Sequence, residues 1–92
     1  MKKEHSFITV IGRDQKGIVA KISNILYRNN INIEDISQKV MEGVFVMTML
    51  VDMSGYKKPL SALSALLDAC GRQMNLKIQV QHENIFKTMH RV

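Results

Sequence analysis

Apolar and polar positions along this chain fall into short blocks with two different periods. Phe7-Ile8-Thr9-Val10-Ile11 is rich in β-branched residues and stopped by Gly12, which predicts a buried or half-buried strand. From Gly17 the spacing lengthens: Ile18, Val19, Ile22, Ile25 and Leu26 gather on one side of a helix. Asn29-Asn30 suits its end, because Asn tolerates the left-handed conformation. Ile31 to Met41 mixes β-branched with polar residues, and Met41-Glu42-Gly43-Val44 supplies a tight turn with Gly where φ is positive. Val44 to Met53 completes a hairpin. Both of its alternating sets are largely apolar, Phe45, Met47, Met49, Val51 and Met53 on one and Val44, Val46 and Leu50 on the other, which places it in the middle of a sheet.

Ser54 to Lys58 reads as a loop, with Pro59 at a first helical position where its missing N–H costs nothing. Leu60, Leu63, Leu66, Leu67, Cys70 and Met74 form a second amphipathic helix, which Gly71 either weakens or ends. Leu76, Ile78 and Val80 alternate with Lys77, Gln79 and Gln81, a strand with one dry face. Asn84 can cap a short last helix with Ile85, Phe86 and Met89 on its apolar edge. The predicted order is βαββαβ with a C-terminal helix: an α+β, ferredoxin-like sandwich in one domain over residues 1–92, its core about 6–83. Right-handed crossovers place both helices on one face of an antiparallel sheet. The other face, with Thr9, Thr48 and Gln79 among apolar neighbours, is too apolar to be wholly solvated, so a partner is expected to cover part of it.

Composition narrows the classes. With 46% apolar and 23% charged residues the chain is that of an ordinary globular domain, and its apolar runs are too short to span a bilayer. The charged start, Met1-Lys2-Lys3-Glu4-His5-Ser6, lacks a signal-peptide core, and the lone Cys70 falls in a helical apolar stripe; both point to the cytoplasm. The formal charge of +5 comes from Lys and Arg residues that nowhere exceed a pair, a scattered basic surface rather than a nucleic-acid patch.

The loop after the first strand, Gly12-Arg13-Asp14-Gln15-Lys16-Gly17-Ile18-Val19, has glycines at both ends and opens a helix, so its backbone N–H groups suit a carboxylate. A purely structural account also stands, in which Gly12 ends a strand and Asp14 caps the helix. This loop, followed by Ile31-Asn32-Ile33-Glu34-Asp35-Ile36-Ser37-Gln38, resembles the ACT domain, especially its small stand-alone members, over nearly the whole chain. The resemblance implies side-by-side or face-to-face dimers that bind an amino acid where the first loop of one copy meets the second strand of another. By position, Asp14, Gly17, Ile18 and Val19 would form the loop side and Asn32 and Ile33 the strand side. Lys16 departs from the family pattern, where many members have Pro. The partners so implied are a second copy, a small-molecule ligand and a regulated protein, with no cofactor.

Rival readings share the fold. His5, His82 and His90 raise a metal site, yet no close ligand spacing supports one and none is expected. An acylphosphatase-like enzyme needs a positioned nucleophile or acid–base pair, and Arg13 alone does not make one, so no catalytic residue is assigned. An RNA-binding module stacks bases on sheet aromatics, and the central strand offers only Phe45.

Overall fold

Along the first strand residues 6, 8 and 10 are buried while residues 9, 11 and 13 are exposed, the period-two sorting of a sheet with one covered face. In the computed structural model, which describes residues 3–83, the elements are β1 (His5–Arg13), α1 (Ile18–Arg28), β2 (Asn32–Met41), β3 (Val44–Asp52), α2 (Leu60–Met74) and β4 (Leu76–His82). The strands form one sheet in the order β2-β3-β1-β4 with every neighbouring pair antiparallel, so the fold is the ferredoxin-like βαββαβ sandwich and β3 lies inside the sheet. The expected C-terminal helix lies outside the described residues.

Both helices pack on one face. Ile18, Ile22 and Leu26 of α1 and Leu63, Leu67, Cys70 and Met74 of α2 join Ile8, Val10, Phe45, Met47, Met49, Val51 and Ile78 in a single core. Cys70 is a free thiol buried there, acting as a small hydrophobe. Among the described residues no helix is long and apolar enough to cross a membrane.

Four local expectations are corrected. Gly12 does not end β1: it lies within the strand opposite Phe45 and Leu76, and a Cβ there would stand 2.6 Å from Leu76 Cδ2, so glycine admits β4 at close range. Gly71 does not end α2 either, because the helix runs on to Met74, and a Cβ at Gly71 would fall 2.6 Å from the Leu76 carbonyl oxygen. Only Asn75, in left-handed backbone, separates α2 from β4, and that one-residue turn forces the strand against the helix. Pro59 is the N-cap rather than the first helical residue; its ψ of 155° keeps it extended. Leu66 is 43% exposed, because Leu63 and Leu67 already define the line that faces the sheet and Leu66 falls on its flank.

The hairpin turn puts positive φ at both central residues, Glu42 (49°) and Gly43 (80°), which matches the right-handed twist of β2 and β3. On the face away from the helices the register forms cross-strand rows. Asp35 and Leu50 lead to Phe7 and Gln81, Ser37 and Thr48 to Thr9 and Gln79, and Lys39 and Val46 to Ile11 and Lys77. Within these rows Ile11 stays half exposed, so an apolar patch remains open on that face.

Candidate functional site

The loop between β1 and α1 is shaped by two hydrogen bonds to distant elements. The Asp14 N–H donates to the Gly43 carbonyl (2.8 Å), and Gln15 Nε2 donates to the carbonyls of Arg13 (3.2 Å) and Met74 (2.8 Å). The loop is thereby pinned to the β2–β3 turn and to the end of α2 even though Lys16 occupies a position that Pro would stiffen. Gly17 is the N-cap of α1 at φ 87°, a conformation that only glycine adopts without strain, and nothing lies within 4 Å of where its Cβ would be.

The structural account of this loop fails at both of its residues. Gly12 lies within β1. Asp14 does not cap α1: the N-cap is Gly17, which has no side chain, and the first turn holds no acidic residue. The first-turn N–H groups and the positive end of the helix dipole are left without a side-chain acceptor, an arrangement that favours an incoming carboxylate. Asp14 and Gly17 are exposed and Val19 is half-buried, whereas the Ile18 side chain belongs to the core, so Ile18 can offer a ligand only its backbone.

Asn32 and Ile33 stand elsewhere. Asn32 pairs with Asp52 and Met41 with Val44, so the start of β2 and the loop lie at opposite ends of the sheet, separated by the length of β3. At roughly 3.3 Å per residue that length is about 26 Å. One chain therefore does not bring the loop side and the strand side together.

Beside Asn32 and Ile33 the register of β2 shifts between Ile33 and Asp35, a bulge that leaves Glu34 outside the ladder. Glu34 reaches across β3: its Oε1 lies 2.9 Å from His5 Nε2, and Lys3 Nζ donates to its Oε2 at 2.8 Å. His5 Nδ1 lies 3.6 Å from Glu83 Oε2. The Lys3 hydrogen bond, then that of His5, holds the Glu34 carboxyl below its ordinary value, and Lys3 is raised in return. Asp52 is held low as well, chiefly by the Ser54 N–H. Sequence reading missed this cluster because its partners are 29 and 31 positions apart, and only the bulge brings them together. Ser6 and His82 are cross-strand partners, so the first and last strands do carry His5 and His82 to one end. Among the described residues, no group of three or more His, Cys, Asp or Glu side chains is placed to hold a metal ion.

Comparison with known proteins places this arrangement. The sequence profile of the ACT domain matches residues 4–81. A UPF0237 protein of Methanococcus maripaludis is 48% identical over 89 residues, covering 97% of this chain and 99% of that protein. An ACT domain protein from Streptococcus pneumoniae superposes with a TM-score of 0.81 at 36% identity, over 92% of this chain and 96% of that one. A formyltetrahydrofolate deformylase from Pseudomonas syringae gives a TM-score of 0.82 at 19% identity over 90% of this chain but 28% of the enzyme, a likeness of fold alone.

Proposed function

The chain belongs to the ACT domain family, and from that membership we propose that it is a non-catalytic, cytoplasmic regulatory module that pairs with a second copy and binds an amino acid where the two meet. The observation that carries this reading is the separation of the two half-sites. The uncapped start of α1 and the Asn32–Ile33 segment occupy opposite ends of one sheet, so a site using both needs two chains.

β2 is an edge strand, and edge strands carry unpaired backbone groups that favour association. Antiparallel pairing of β2 with its copy sets the start of one β2 beside the end of the other. Asn32 of the second copy then arrives at the end of the sheet where Gly43 holds Asp14. The exposure of Ile36 (41%) and Val40 (52%), which point to the helix side of β2 beyond the cover of α1, supports the same pairing. In this arrangement Gly17 and the backbone of Ile18 and Val19 receive the carboxylate, Asp14 takes the ammonium, and Asn32 and Ile33 close the site from the second chain. Ligand binding then stabilises the paired state by mass action, and a partner protein reads the change.

Thermal-shift measurements against the amino acids, followed by analytical ultracentrifugation with the one that stabilises most, test the reading. At a ligand concentration of one hundred times Kd the expected stabilisation is about 2.7 kcal/mol, accompanied by a shift toward the dimer. A chain that stays monomeric and unshifted with every amino acid refutes it.

A further inference from the structure

The sheet has two edges, and β4 forms the one opposite β2. The Glu83 N–H donates to the His5 carbonyl (3.1 Å), and the antiparallel register then makes Gln81, Gln79 and Lys77 the β4 residues that exchange hydrogen bonds with β1. Ile78 and Val80 alternate with them, so their N–H and C=O groups turn to the outer side, where no strand lies among the described residues. An open edge of this kind is a template for one more strand.

The helix above this edge gives it a second wall. α2 packs directly on β4: a Cβ at Gly71 would stand 2.6 Å from the Leu76 carbonyl oxygen and 3.5 Å from Ile78 Cγ1. The two elements run in opposite directions, because Asn75 alone separates them. Between the outer flank of α2 and the edge of β4 lies a groove of about 500 Å³, within the range of about 300–1,000 Å³ typical of ligand clefts. Ser64, Asp68 and Arg72 form its helix wall. They are four residues apart, so about 6 Å separates each from the next along the helix axis. Side chains on one face of a strand recur about every 6.6 Å, so three successive helix-side residues of an added strand meet Ser64, Asp68 and Arg72 in turn. Asp68 and Arg72 are exposed and take part in no ion pair among the described residues. Counted from the Gly71 contacts, Asp68 stands level with Ile78 and Arg72 with Leu76, and Lys77 adds a positive charge on the open face between them.

We propose that this groove binds an extended segment of a partner protein as a fifth strand on β4, antiparallel like every neighbouring pair in the sheet. The segment carries a basic residue opposite Asp68, followed by an acidic residue beside Lys77 and another opposite Arg72. The outward backbone groups of Ile78 and Val80 supply hydrogen bonds that any sequence can make, and the charges fix direction and register. A second copy of the chain does not fit. The helix-side residues of its edge strands are Leu76, Ile78 and Val80 in β4 and Ile36, Gln38 and Val40 in β2, none of which answers Asp68 or Arg72. The groove shares no residue with Asp14–Val19 or Asn32–Ile33 and needs no amino acid, so its failure leaves the pairing through β2 untouched.

The experiment titrates the full chain with the capped peptide Val-Thr-Thr-Lys-Glu-Glu-Val and follows amide NMR shifts and hydrogen exchange. Saturable shifts of Arg72, Ile78 and Val80 are expected, with slowed exchange of the Ile78 and Val80 amides. N-methylation of the first threonine and the lysine, whose N–H groups face β4, should abolish binding. N-methylation of the second threonine and the first glutamate, whose N–H groups face away, should leave it largely intact. Arg72→Glu, a change on the exposed flank of α2 that retains the fold, should weaken binding about fivefold or more. A peptide with lysine in place of its second glutamate should recover affinity for that variant. Asp14→Ala and Asn32→Ala should leave binding unchanged. The proposal is overturned by absence of saturable shifts, by equal binding of the two methylated peptides, or by wild-type affinity in Arg72→Glu. Shifts of Ile78 and Val80 that follow protein concentration without peptide would give the edge to a second copy and overturn it as well.

Discussion

Glu42 occupies a position that its own side chain disfavours. At φ 49° it holds left-handed backbone, which costs an L-residue with a Cβ about 1 kcal/mol relative to glycine, and it does so because the two-residue turn demands positive φ at both centres. Glu42→Gly is therefore expected to stabilise the fold by about 0.5–1 kcal/mol, measured as a raised urea midpoint with unchanged slope. Glu34 shows the opposite case, a charged residue held by its partners. Its folded carboxyl titrates below the ordinary 4.5, mainly through Lys3 and then His5. The unfolded chain thus takes up the proton first as pH falls, so the stability Glu34 contributes is complete above about 4.5 and disappears as pH drops through the lower folded value. Asp52 adds to the same acid loss from its ordinary 3.8. In Glu34→Gln the fall in melting temperature between pH 5 and pH 3 should be shallower than in the parent, and an identical acid profile would contradict the assignment of Glu34.

At the scale of elements, the one-residue connection from α2 to β4 governs the packing of that half of the sandwich. Alanine in place of Gly71 gains about 1 kcal/mol of helix propensity. It also sets a Cβ 2.6 Å from the Leu76 carbonyl, a backbone atom that cannot swing aside. Overpacking of this kind costs about 1–3 kcal/mol and more where the backbone must move. The clash wins, and Gly71→Ala should lower stability in chemical denaturation; Leu66→Ala, on the exposed flank of the same helix, should change it by less than about 1 kcal/mol. Sequence patterning located α2 but could not reveal the role of Gly71. Its cause is a backbone contact with Leu76, five positions on, that forms only once β4 has folded back against the helix.

For the whole molecule, the proposed pairing rests on β2. β3 covers one of its edges and nothing among the described residues covers the other. Ile36→Lys with Val40→Lys places two charges along that edge at exposed positions, where the folding cost is within about 0.5 kcal/mol each. If the proposed pairing holds, sedimentation should show a dimer for the parent chain and a monomer for this variant, with an unchanged melting profile at low concentration. A dimer in this variant as well would contradict pairing through β2 and point instead to the open face around Ile11 and Val46.

The chain's own order of apolar and polar residues was enough to determine the element order, the interior position of β3 and the common face of both helices. These follow from periods of two and 3.6 that any burial must obey. The resemblance of the Asp14–Val19 and Asn32–Gln38 segments was enough to point to the family. Only the tertiary structure decided the rest: that the Asp14–Val19 loop and the Asn32–Ile33 segment sit at opposite ends of one sheet, and that a bulge carries Glu34 to His5 and Lys3. Each of these depends on register and on contacts between residues dozens of positions apart, and local periodicity carries no information about either.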